Sequence, residues 1–141
     1  VTASCQKNEM SKIPQIGLDF FGPGSIRVNF DTAFLQLNLQ DGDADLGNDK
    51  KSGKFDMFIK DFRYDTGYAG YFFPDIDLSI EDPNKGITGK CLFYFIPAIL
   101  VTRSDSLHTE LGDTTHFEVY LVDRAGNQSN HITTGDVILT P

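Results

Sequence analysis

The sequence predicts an all-β protein, two antiparallel sheets packed as a sandwich, and three observations carry that expectation. Asp outnumbers Glu sixteen to four at equal charge; the short Asp side chain bonds nearby backbone and favours turns, whereas Glu favours helices. The 141 residues include 13 Gly and 6 Pro, the punctuation of a turn-rich chain. Several segments alternate apolar and polar residues with the period of a half-buried strand, and none carries a convincing helical stripe. About seven strands in a chain of this length suit a β-sandwich with immunoglobulin-like connections, and a small β-barrel is the other architecture that count allows.

Residues 1–12 have no apolar period and read as a polar tether, leaving 13–141 as one domain. Ile16, Leu18 and Phe20 alternate with Gly17 and Asp19 as a first strand, which FGPGS at 21–25 breaks. Leu35, Leu37 and Leu39 lie on one face of the cleanest alternation in the chain, at 34–40. Residues 41–54 are polar and Asp/Gly-rich, hence a loop. Another strand is expected over 55–62, with Phe58 and Phe62 among its apolar anchors. The aromatic segment 64–75 runs into a short strand with Ile76, Leu78 and Ile80 alternating, followed by a turn cluster at 81–89. Residues 91–101 are continuously apolar, as a strand covered on both faces would be, with Pro97 forcing a bulge or an edge position. Polar, irregular sequence fills 103–115. Phe117, Val119 and Leu121 then alternate, 123–130 turns, and 132–139 closes the chain.

Composition excludes several functions. A formal net charge of −8 repels phosphate backbones and argues against nucleic acid. The apolar run at 91–101 is too short to cross a bilayer, which needs about 18 residues. His108, His116 and His131 lack metal-ligand spacing, and the chain has no GxSxG elbow, HExxH, paired CxxC or phosphate loop. Ser104, Ser106 and Ser129 are ordinary polar-loop residues. A non-catalytic protein is expected.

Three segments resemble one family. VTASCQKNE at the N-terminus is similar to the processing site and tether of a bacterial lipoprotein: small residues precede Cys5, with Thr2 where Leu is usual. DGDADLG at 41–47 resembles the DGDGDIG signature of small immunoglobulin-like surface lipoproteins of Bacteroidetes-type bacteria, and FEVYLVDRAGNQSN resembles their penultimate strand and turn. The resemblance implies an exported protein, lipid-anchored through Cys5 at the outer membrane or cell surface, and says little about activity. A Cys5–Cys91 disulfide is the alternative for Cys5, with Cys91 otherwise a small buried hydrophobe.

Asp41, Asp43 and Asp45 stand at alternate positions, with Gly42 and Gly47 letting the backbone curl. Carboxylates this close repel unless a hard cation or a set of donors lies between them, and calcium takes six to eight oxygens. The run is not an EF-hand, since Leu46 replaces the expected glycine and no Glu follows at the right distance. Asp49 adds a further oxygen. In an immunoglobulin-like sandwich the loops 41–54, 81–89 and 123–130 gather at one end, which brings Asp123 and Asn127, and Glu81 or Asp82, towards the acidic run. The competing reading is that these residues only form solvated turns. Tyr64, Tyr68 and Tyr71, beside Phe72 and Phe73, form an aromatic loop that suits a sugar or protein surface, or else plugs the core. Two functions follow: a surface-tethered binding or adhesion module for a glycan or protein, with calcium in its loops, or a structural accessory subunit of an outer-membrane assembly.

Overall fold

The computed structural model describes residues 10–28, 30–47, 50–73, 84–95 and 112–140. The expected strand at 76–80, Pro97 with the rest of the 96–101 run, and Cys5, Asp49, Glu81, Asp82, His108, Ser104 and Ser106 lie outside them.

Ten strands and no α-helix occur among the described residues. β1 (Gln15–Gly22), β3 (Ala33–Asp41) and β6 (Ile87–Phe95) form one antiparallel sheet in the order β1-β3-β6. β4 (Met57–Asp61), β5 (Ala69–Tyr71), β8 (Phe117–Leu121) and β9 (Ile132–Thr133) form a second antiparallel sheet, ordered β5-β4-β8-β9. β2 (Ser25–Arg27) runs parallel to β10 (Val137–Thr140), which pairs antiparallel with β7 (Asp113–Thr115) on its other side. One apolar cluster joins the three: Leu35, Leu37 and Leu39 from β3, Met57 and Ile59 from β4, Phe117, Val119 and Leu121 from β8, and Ile26, Val137 and Leu139 from the third sheet. Inward side chains alternating along strands of facing sheets are consistent with a β-sandwich.

The alternations at 34–40 and 117–121 hold: Leu35, Leu37, Phe117, Val119 and Leu121 are each at most 1% exposed. Others are displaced for local reasons. A register shift between Leu18 and Phe20 breaks β1, so Ile16 is buried while Phe20 is 50% exposed. Beyond the bulge Phe21 takes the inward position, its ring 5.6 Å from Phe117 across the sheets. In β4 the inward pair is Met57 and Ile59, so Phe58 lies on the outer face stacked on Tyr120, and Phe62 stacks on His116. The apolar run of β6 is not covered on both faces: Cys91 is buried, but Leu92 and Tyr94 are 42% and 54% exposed. That strand begins at Ile87, inside the expected turn cluster. Cys91 is a free thiol whose pKa burial pushes up to about 11, an inert buried hydrophobe.

A polar network ties β4 to β7. Arg63, with 3% of its side chain exposed, forks between Asp61 at 2.6 Å and Asp113 at 3.1 Å. The Thr115 hydroxyl donates to Asp61 at 2.9 Å. Asn130 anchors the edge of β1, accepting from the Ile16 amide and donating to the Ile16 carbonyl, both at 2.8 Å. Ser129 and Thr134 hydroxyl oxygens accept from the amides of Leu121 and Phe117, each at 2.9 Å.

Candidate metal centre

Asp41 is the last residue of β3, and the alternation that turns Leu35, Leu37 and Leu39 inward turns Asp41 inward too, at 0% exposure. The chain then leaves the sheet and curls. Its Ala44 adopts φ +54°, a left-handed conformation that costs a non-glycine residue about 1 kcal/mol, and the Ala44 methyl is buried. The curl returns the Asp45 amide to Asp41, donating to Oδ2 at 3.0 Å.

The turn at 123–127 closes on this loop. Gly126, at φ +90°, donates to the Asp123 carbonyl at 3.1 Å, and the Asp123 amide donates to the Asn127 carbonyl at 3.0 Å. Asn127 answers through its backbone amide and side-chain Nδ2, which donate to the two Asp123 carboxylate oxygens at 2.7 and 2.9 Å. Four further bonds bind turn to loop. The amides of Arg124 and Ala125 donate to the Asp45 carbonyl (3.0 Å) and carboxylate (3.2 Å). The Arg124 guanidinium donates to the carbonyls of Gly47 and Ala44 at 3.2 and 3.4 Å. The DGDADLG and DRAGN segments, about 80 residues apart in the chain, are therefore one folded unit.

At its centre Asp41, Asp43, Asp45 and Asp123 each present a carboxylate oxygen, all within 4.8 Å of one another. Three oxygens there are buried without a hydrogen-bond partner: Oδ1 of Asp41, of Asp43 and of Asp45. An orphaned buried acceptor costs about 1–3 kcal/mol, more when charged. Three such oxygens on residues of one carboxylate cluster suit a hard cation, and with oxygen alone in the group the chemistry suits calcium rather than a thiolate- or imidazole-loving metal. Desolvation, together with repulsion from Asp43 and Asp45, raises the Asp41 carboxyl pKa to about 7 against the opposing pull of the Asp45 amide. Desolvation also raises Asp45, with Asp123 and Asp43 adding to it.

A pH dependence follows for the metal-free protein. Folded-state pKa values above the unfolded value of 3.8 favour the fold while the carboxyls are protonated, and that contribution is lost as pH rises from about 4 through about 7. One pH unit of displacement corresponds to about 1.4 kcal/mol, so the loss is a few kcal/mol. Thermal melts in chelator should give a higher Tm at pH 5 than at pH 8, and calcium should remove most of the difference. Equal Tm values in chelator would contradict the burial of these charges.

The expected residues divide cleanly. Asp41, Asp43, Asp45 and Asp123 converge; Asn127 orients Asp123, its amide and Nδ2 donating to the two carboxylate oxygens; Asp49 is outside the described residues. The aromatic loop does not present three free rings. Tyr71 is half-buried against the core, its ring 6.3 Å from Phe93, and burial raises its pKa. Tyr64 lies under the Arg63 guanidinium. Phe73 is buried, and its amide donates to the Asp56 carboxylate. Tyr68 alone of the three tyrosines is exposed, at 37%, and its hydroxyl donates to Glu118 while its ring meets Tyr120 and His131 edge-on. Composition carried no signal for Arg124 as the loop clamp; the signal was its place inside DRAGN.

No protein-family model matches the chain, and neither a curated protein nor a solved structure is significantly similar to it.

Proposed function

We propose that the protein is a non-catalytic, exported module for binding or adhesion, an immunoglobulin-like sandwich lipid-anchored through Cys5 at the outer membrane or cell surface, whose loop end holds a structural calcium ion. The observation that carries the calcium is the trio of buried, partnerless carboxylate oxygens at Asp41, Asp43 and Asp45. In support of immunoglobulin-like connections, the chain passes from β1 in one sheet to β2 beside the last strand, β10, which it joins in parallel. Support for export and anchoring is the similarity of VTASCQKNE, DGDADLG and DRAGNQSN to surface lipoproteins, and extracellular calcium modules bind at about 10⁻⁴–10⁻³ M, matched to the calcium outside cells.

Melting with calcium and with chelator tests the site. At ten times its Kd a ligand of the folded state adds about 1.4 kcal/mol, roughly 3–5 °C in Tm for a domain of this size. Magnesium, which demands tighter octahedral geometry, should give less. An unchanged transition at tens of millimolar calcium leaves only the solvated-turn reading.

A second reading, the accessory subunit, is favoured by the outer face of the β1-β3-β6 sheet. There Phe20, Leu92 and Tyr94 are exposed together, with Phe34 packed edge-on to Tyr94 at 5.3 Å. A glycan array comparing the chain with Tyr68→Ala separates the two. A specific hit lost on substitution favours glycan binding; no hit, with a membrane protein co-purifying through a Tyr94→Asp-sensitive contact, favours the subunit.

A further inference from the structure

We infer that the cation held by Asp41, Asp43 and Asp45 also fastens the N-terminal segment 10–12 to the domain, so that calcium governs how firmly this segment is held; the inference rests on the calcium site proposed above.

Gly42 is the link, because it lies in the chain between two of the ligands. Its amide donates to the Ser11 carbonyl at 2.7 Å. Its missing side chain is what lets the segment lie there: a Cβ on Gly42 would stand 2.2 Å from the Met10 carbonyl oxygen and 2.6 Å from that of Ser11, distances no real Cβ shows. On the other side, a Cβ on Gly86, at φ +71°, would stand 2.6 Å from the Asp41 carbonyl oxygen, so the turn leading into β6 is pressed against the same backbone. Thr88 on β6 completes the contact, its hydroxyl 3.9 Å from the Met10 sulfur. The segment 10–11 and the turn at Gly86 thus meet on the backbone of Asp41 and Gly42, and the N-terminal segment is held there through main-chain contact at Gly42.

Without a cation the carboxylates of Asp41 and Asp43 repel, and that force acts on the peptide units joining them. A backbone displacement that separates the two carboxylates carries the Gly42 amide away from Ser11. A divalent ion reverses the sign of that force, draws both side chains to one centre and fixes the amide where Ser11 accepts from it. Calcium then turns a loosely held N-terminal segment into a fixed exit from the domain.

Hydrogen exchange on the full chain, in calcium and in chelator, reads this directly, with calorimetric titration of calcium run alongside. The Gly42 amide should exchange at least tenfold more slowly in calcium. The Val28 amide, bonded to the Thr140 carbonyl at 2.8 Å in the third sheet, should change far less. Calcium binding seen as heat, with Gly42 exchanging at the same rate in both conditions, overturns the fastening and leaves the site standing. Absence of any binding heat overturns the site and the fastening together. In Gly42→Ala, whose methyl strikes Met10, calcium should still bind with the residue-42 amide unprotected; retained protection of that amide would overturn the inference.

Discussion

Arg63→Met should destabilise the domain by about 3–5 kcal/mol, read as a lower urea midpoint at unchanged slope. The methionine keeps most of the side-chain volume, so the loss is electrostatic. Asp113 has 4% of its side chain exposed and Asp61 16%; without the guanidinium, these carboxylates face each other in a poorly solvated site. The position also joins the end of β4 to β7, linking two of the three sheets. Asp113→Asn in the Arg63→Met background should recover part of the loss by removing the stranded charge. Arg27→Met supplies the contrast: Arg27 pairs with Asp31 at 3.5 Å with 62% of its side chain exposed, and such pairs contribute under about 1 kcal/mol. Equal effects at the two arginines would show that the Arg63 network is solvated.

Asp43→Asn should change sign with calcium. In chelator the substitution removes one of four clustered negative charges and supplies an amide able to donate to a neighbouring orphan oxygen, so the variant should melt above the wild type. In calcium the same substitution removes a charged ligand. A tenfold weaker Kd lowers the ion's stabilisation by up to about 1.4 kcal/mol, and the variant should melt below the wild type. A solvated acidic turn predicts no crossing, because charge removal would then have the same small effect in both buffers.

The strand faces that alternation defines were legible because their neighbours are regular. Leu35, Leu37 and Leu39 needed only a pleat of period two. The failures share a cause: a local backbone event changed which side a residue faced. One bulge at Asp19 exchanged Phe20 for Phe21, and the inward register of Met57 and Ile59 put the larger Phe58 outside. Hydrophobicity alone ranks Phe above Met, and only cross-strand partners decide between them. β2, β5 and β7 are three residues long, too short for a period to declare itself. The convergence of Asp123 with the acidic loop was legible because sandwich topology gathers alternate loops at one end. The contribution of Arg124 was not, since its contacts are to backbone carbonyls of Ala44 and Gly47, which leave no trace in side-chain type. The aromatic loop misled for the opposite reason: ring-rich sequence signals a binding surface and a packed sandwich flank equally, and Tyr71 and Phe73 went to the core.

Calorimetric titration of the metal-free chain with calcium at neutral pH addresses the central claim most directly. One ion per chain, bound at submillimolar to millimolar Kd and lost in Asp41→Asn, is the result expected of four converging carboxylates with three unpartnered oxygens. Featureless dilution heats up to tens of millimolar calcium, from a chain that circular dichroism shows folded, would contradict it.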